Sequence, residues 1–236
     1  MEEKLERKAG LSFEIPCDDP FLYPRRLRGI DDPPEELMVL GDPTVLGMRS
    51  LVVVGARRAT PYGLACARRF ATIAAELGYC IVSGGARGID AEAHRAALDA
   101  CGRTVAVLGG GADVAYPPEN AGLFVRIADG GGALVSERPW GDAPKPFAFR
   151  ARNRIIAALA DAVLVCEAGL PSGTFSLCDE ALAAGKPVLC VPGAITSPAS
   201  TGPNYLLTAG GIPVVDDRSF SAALKDASDR SERRAS

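Results

Sequence analysis

The chain has 236 residues, 47% of them apolar, and a formal net charge of −3. That composition excludes a disordered polypeptide and suits one large domain, or one domain with small appendages. The charge excludes a globally basic nucleic-acid binder: a polyanionic partner has to meet a local patch, and a small-molecule protein with no polymer partner fits equally well.

The N-terminus, MEEKLERKAG, is charged and has no apolar core of a secretory signal. No apolar run approaches membrane-span length, so a cytoplasmic protein without a membrane partner is expected. Residues 1–20 read as a loose lead-in. Residues 21–47 hold Pro24, Pro33, Pro34 and Pro43 and read as a docking segment rather than a fold of their own.

From Leu51 the pattern becomes regular. LVVVG is a short β-branched run closed by glycine, the mark of a buried parallel strand. Tyr62 to Leu77 carries apolar residues at helical spacing. CIVSGG is a second strand and turn, Asp90 to Ala100 a second helix, and TVAVLGGG a third strand. Asn120 to Ala128 is helical, ALVSE a fourth strand, and Arg152 to Ala160 a helix. AVLVCEA, a helix from Phe175 to Ala184, PVLCVPG, a short helix at Asn204 to Thr208 and a last strand at Pro213 to Val215 complete the series. Strands alternating with helices of this length imply βαβ crossovers, and so an α/β fold with a doubly wound, mostly parallel sheet. The domains are 1–47 as lead-in and docking segment, 48–216 as the main domain, and 217–236 as a polar tail expected to fray.

Seven cysteines without CxxC spacing and a single histidine give no zinc pattern, so no metal is expected. Cys66, Cys80, Cys101, Cys166, Cys178 and Cys190 sit in apolar patterns and are expected as buried free thiols.

Most strands end in glycine or a small polar residue. In open α/β sheets ligands bind beyond the carboxyl ends of the strands, where helix N-termini present free amides. In the first turn, VVVGARRATPYG, Arg57 stands where a dinucleotide fingerprint needs its second glycine. A pyrophosphate cofactor is therefore not expected, and Arg57 and Arg58 are instead placed to reach phosphate oxygens themselves. In the second turn, SGGARGIDAEAH, Ser83 and Gly84 end the strand and Asp90 is placed to cap the next helix. His94 lies four residues after Asp90. With no nucleophile nearby, a structural Asp90–His94 contact is expected rather than acid–base chemistry.

The stretch FRARNRIIAALA has the strongest charge logic. Arg150, Arg152 and Arg154 alternate where a helix begins, and cations are disfavoured there unless an anion is bound. Asn153 adds a neutral hydrogen-bonding group. The competing interpretation is a set of surface arginines paired with Glu137, Asp142 or Glu167. Ser172, Gly173 and Thr174 open the next helix as a further phosphate cradle.

Several ordered blocks together resemble the DprA/Smf family of DNA-processing proteins: YPRRLRGIDDPPEELMVLG (23–41), VVVGARRATPYG (52–63), VSGGARGIDAEAHRAAL (82–98), VLGGGADVAYPPEN (107–120), LVSERPWG (134–141), FRARNRIIAALA (149–160), EAGLPSGT (167–174) and VPGAITSPASTGPNYLLTAGG (191–211). The resemblance implies an extended Rossmann-like domain that binds single-stranded DNA in natural transformation and recombination. It implies a homodimer that protects incoming strands and helps load a RecA-type recombinase, without catalysis or cofactor. Arg57, the Ser83-Gly84 turn, Arg152, Asn153, Arg154 and the Ser172-Gly173 turn would line the DNA pocket.

The chain departs from the family pattern in three ways. It leaves no room for the small N-terminal helical domain or the C-terminal winged helix common in the family. Ala151 stands where a basic residue is common. Gly85 and Arg87 replace a larger apolar and a small residue, and Arg87 would compensate for Ala151 if it reaches the same pocket. Two alternatives use the same fold: a nucleotide-binding sensor, and a phosphoribohydrolase of nucleoside phosphates. The second needs a glutamate three residues after the threonine of its glycine-rich turn, and that position here is Leu177.

Overall fold

The computed structural model describes residues 3–8 and 10–235. Among them the chain runs β1 (Glu3–Lys4), β2 (Ser12–Pro16), α1 (Arg25–Arg28), β3 (Glu36–Gly41), β4 (Ser50–Val54), α2 (Pro61–Glu76), β5 (Cys80–Ser83), α3 (Ile89–Asp99), β6 (Thr104–Val107), β7 (Val114–Ala115) and α4 (Ala121–Asp129). It continues as β8 (Ala133–Ser136), α5 (Ala148–Ala151), α6 (Asn153–Leu159), β9 (Ala162–Val165), α7 (Gly173–Ala183), β10 (Val188–Cys190), α8 (Thr201–Thr208), β11 (Ile212–Pro213) and α9 (Asp217–Ala235). A nine-stranded sheet has the order β11-β10-β9-β4-β5-β6-β8-β3-β2. It is parallel from β11 to β8, and only β3 and β2 join antiparallel. The α/β class and the mostly parallel sheet are as the sequence predicts.

The central strands β4, β5, β6, β8, β9 and β10 are buried on every residue because both faces are covered. Val52 and Val54 of β4 pack with α6 and α7, while Leu51 and Val53 face the opposite layer of α2, α3 and α9. A period-2 strand with helices on both sides favours apolar residues throughout, and the polar Ser50, Ser83 and Thr104 at strand ends satisfy their hydroxyls on backbone carbonyls. The order reverses at β4: the next strand in sequence, β5, lies on one side and β9 on the other. Ligand crevices of doubly wound sheets form at the carboxyl ends of such a pair.

Three expectations are corrected. The lead-in is not loose: β2 pairs with β3 from Ser12↔Leu40 to Pro16↔Glu36, and β3 pairs with β8, so this segment extends the main sheet. Ile15, Tyr23, Leu27 and Leu37 are buried in the common core. Met1, Glu2 and Ala9 of the lead-in lie outside the described residues. The tail does not fray after residue 225. It is the helix α9, which places Phe220, Leu224 and Ala227 in the core and bonds Ser228 Oγ to Tyr79 Oη at 2.7 Å. That i, i+4, i+7 stripe is enough to hold an otherwise polar helix; Ser236 lies outside the described residues. Of the six cysteines expected to be buried, Cys101 is exposed and Cys66 half-buried. Cys101 follows α3 and adopts φ 55°, where the chain turns back to β6.

Candidate functional site

A cleft of about 330 Å³ opens beyond the carboxyl ends of β4, β5 and β9. Its walls come from the turn after β4 (Gly55, Ala56, Arg57), the turn after β5 (Gly84, Ala86), the α5–α6 junction (Phe149 to Asn153) and the start of α7 (Ser172, Gly173, Thr174). A neighbouring cleft of about 240 Å³ shares Arg57, Gly84, Ala86, Phe149 and Arg152 with it and adds Arg58, Arg87, Tyr116 and Pro117. The two clefts, with five lining residues in common, adjoin each other and together form the trough.

Arg152 is the centre of the site. It sits at the junction between α5 and α6 and is only 7% exposed. Its Nη1 donates to the carbonyls of Gly84 and Val107, at the ends of β5 and β6. Its Nε is buried and has no hydrogen-bond partner among the described residues. Burial pulls the guanidinium down to about pKa 10, with nearby Arg57 adding to the fall and Asp90 opposing it. It is still cationic at neutral pH. A buried unsatisfied donor costs on the order of 1–3 kcal/mol, more when charged.

The surrounding backbone is shaped to hold Arg152. A Cβ on Gly84 would run into its guanidinium. Gly88 has φ 72°, and a Cβ there would strike the carbonyl oxygen of Ala56. That close approach locks the Arg57 turn against the start of α3, with Ile89 N bonded to Ala56 O at 3.2 Å. Asp90 accepts from Ala86 N at 3.3 Å, and burial raises its carboxyl pKa while Arg152 works against the rise. The Arg57 turn is held from below by Glu167, which accepts from Thr60 N at 2.8 Å and Thr60 Oγ1 at 2.6 Å. Ser172 Oγ caps α7 by accepting from Thr174 N at 3.2 Å.

Of the predicted site residues, the structure brings Arg57, Gly84, Arg152, Asn153, Ser172, Gly173 and Thr174 together in the larger cleft. Arg58 and Arg87 line the smaller one, where Arg87 pairs with Glu119. Arg87 thus reaches the same trough as Arg152. Ser83 is fully buried and donates from Oγ to Val53 O at 2.6 Å, so it ties β5 to β4 and is not a wall of the cleft. Arg154 is not in the cleft either. It lies two residues beyond Arg152, about 200° around a helix, and is fixed to Glu137 at 2.8 and 2.7 Å. Pairing with Glu137 is the interpretation that sequence reasoning had ranked second.

The expected Asp90–His94 contact is also absent from the hydrogen bonds of these two residues. His94 Nδ1 stands 2.7 Å from Thr104 Oγ1, which donates to Ile81 O at 2.7 Å. Burial pushes the imidazole pKa down to about 3, with Arg152 and Arg95 adding to the fall, so it is neutral and structural.

Sequence reasoning missed two aromatic residues. The Phe149 ring lies near two cations, with the guanidinium carbons of Arg57 and Arg152 at 5.9 and 5.8 Å from its centroid. Tyr116 stands 5.5 Å from it, ring to ring. The signal was available: an aromatic immediately before the arginine run, and a tyrosine beside Pro117 at the end of a glycine-rich turn. Rings interleaved with cations offer stacking faces as well as charge.

The profile of a family described as DNA recombination-mediator protein A matches residues 15–225. The chain is 42% identical over 202 residues to the protein Smf of Escherichia coli (strain K12), covering 86% of this chain and 54% of that protein. Its fold is similar to the X-ray structure of DNA processing protein A from Streptococcus pneumoniae (TM-score 0.83, 36% identity, 89% of this chain and 74% of that one). It is also similar to the DNA processing protein A of Helicobacter pylori, which has a single-stranded DNA binding mode (TM-score 0.80, 30% identity, 96% and 97%). The chain spans about half the length of the curated relatives it matches.

Proposed function

The chain belongs to the DNA recombination-mediator protein A family, and from that premise we propose that its trough binds the sugar–phosphate backbone of single-stranded DNA. The observation that carries this is Arg152: a buried cation at the floor of the cleft whose Nε has no partner among the described residues. Gly173 and the Ser172 and Thr174 hydroxyls at the start of α7 add polar groups to the site, and Phe149 offers a face on which a base stacks. The joined clefts suit a polymer better than one nucleotide. The Helicobacter pylori relative, named for its single-stranded DNA binding mode, supports the same choice of ligand.

Its role is DNA processing in transformation and recombination, as a cytoplasmic homodimer that protects incoming strands and helps load a RecA-type recombinase. It works by binding, without catalysis or cofactor. Leu177, in place of the glutamate of a phosphoribohydrolase, is buried on α7 and presents an apolar side chain to the larger cleft. Asp90, the acid in the cleft wall, is occupied by Ala86 N and the Arg152 charge.

Fluorescence anisotropy with oligothymidine, duplex DNA and thymidine monophosphate tests this. The long single strand is expected to bind tightest, with affinity falling steeply as salt rises because counterions are released. Equal affinity for the mononucleotide would instead make the protein a nucleotide sensor.

A further inference from the structure

The geometry points to Arg154 as a positioning residue: a fully paired brace that holds Arg152 in the trough and makes the 21–34 segment part of the binding unit. This rests on the proposed single-stranded DNA binding. Arg152 stands at the break between α5 and α6, with the helical φ −63° and ψ −18° that belong to both. Such a break is a place where the chain can bend, and the direction of Arg152 depends on what fixes it. Arg154 does so from the far side of the helix. Its Nη1 and Nη2 meet both oxygens of Glu137, and Nη1 also donates to Ala151 O at 2.9 Å, across the break itself. Its Nε donates to Asp32 O at 2.7 Å and lies 3.0 Å from Asp32 Oδ2. These contacts use each nitrogen of the fork. The side chain is 16% exposed, and the bond to Glu137 raises its pKa.

Each partner has a consequence for the trough. Glu137 directly follows β8 and opens the loop that returns with Phe149 and Arg150. Ala151 O belongs to the last residue of α5. Asp32 belongs to the N-terminal segment, which also grips the other end of α6, where Arg26 Nη1 donates to Leu159 O at 2.8 Å. The segment therefore clamps α6 at both ends, and one of the clamps is the arginine that local spacing would assign to DNA. For Arg154 to bind phosphate, it would have to give up Glu137, a bidentate charged pair already in place.

The test compares Arg154→Gln, Glu137→Gln and Arg152→Gln in titrations of the full chain with oligothymidine over a salt series, with thermal melting run in parallel. Loss of a phosphate contact lowers the slope of log affinity against log salt by about 0.7 for a single strand. Loss of a brace lowers affinity at every salt concentration and leaves the slope alone. Arg154→Gln and Glu137→Gln are each expected to weaken binding on the order of tenfold, with the double variant no weaker than either alone. Arg152→Gln is expected to reduce the slope. Glu137→Gln decides the sign: if Arg154 were a phosphate ligand held in reserve, freeing it would strengthen binding and steepen the slope. That result, or a reduced slope for Arg154→Gln, overturns the proposal. Arg154→Lys, which keeps the charge but loses the fork, is expected to behave as Arg154→Gln does, and wild-type affinity in this variant also overturns it. If the wild-type chain binds no oligothymidine, the DNA-binding function fails first, and separately.

Discussion

The two ends of the parallel sheet each hold a buried charge, and they treat it in opposite ways. At the amino end Asp161, fully buried at the start of β9, accepts from Ser50 N at 2.8 Å through Oδ2 and meets Arg26 at 2.9 Å through Oδ1. Ser50 Oγ and Arg26 Nη1 then both donate to Leu159 O, closing the gap between α6 and β9. At the carboxyl end Arg152 has two carbonyls for Nη1 and no partner for Nε. The amino-end charge has an opposite charge in contact, although Asp161 Oδ1 itself makes no hydrogen bond among the described residues. The carboxyl-end cation has carbonyls on Nη1 and, among the described residues, no partner on Nε and no paired carboxylate, and a buried cation without an ion pair beside a cleft is the feature that points to a bound anion.

The comparison can be broken from either side. The largest effect is expected at the closed end. Arg26→Ala leaves Asp161 buried without its cation and should cost about 3 kcal/mol of stability, measured by urea unfolding. Oligothymidine affinity of the folded protein should fall by less than about tenfold, because the Arg154 clamp at the other end of α6 remains. A binding defect as large as the stability loss would mean that the two ends are not separate. The smaller effect is expected at the open end. The φ of Gly84 is not positive, so alanine fits its backbone, but the new Cβ displaces the Arg152 guanidinium. Gly84→Ala should weaken oligothymidine binding about tenfold, equivalent to ~1.4 kcal/mol, and shift unfolding by under about 1 kcal/mol. A variant that unfolds early but binds normally would put Arg152 in a structural role only.

Much of this was legible from residues alone, for identifiable reasons. The core strands announce themselves because burial on both faces demands unbroken runs such as LVVV and AVLV. The strand-end glycines and Arg57, Ser172 and Gly173 lie within single βα turns, and Arg152 lies at a helix start, so local pattern places them. What escaped depends on partners distant in sequence. ELMVLG forms β3 although prolines flank it, because β8 and β2 supply its hydrogen bonds. The FSAALKDA stretch looked polar, yet Phe220 and Leu224 find a core in α2 and β9 that composition does not show. Arg154 shares its spacing with Arg150 and Arg152, and only Glu137 and Asp32 turn it away. Phe149 was passed over because charge dominated the interpretation of that stretch.

The most direct test follows the Nε–H of Arg152 by proton–nitrogen NMR, with the arginine signal assigned by its loss in Arg152→Lys. Titration with oligothymidine is predicted to move this signal and slow its exchange with water, as an unpartnered donor acquires a phosphate oxygen. A signal that stays in place when the protein is saturated with DNA would contradict the central claim.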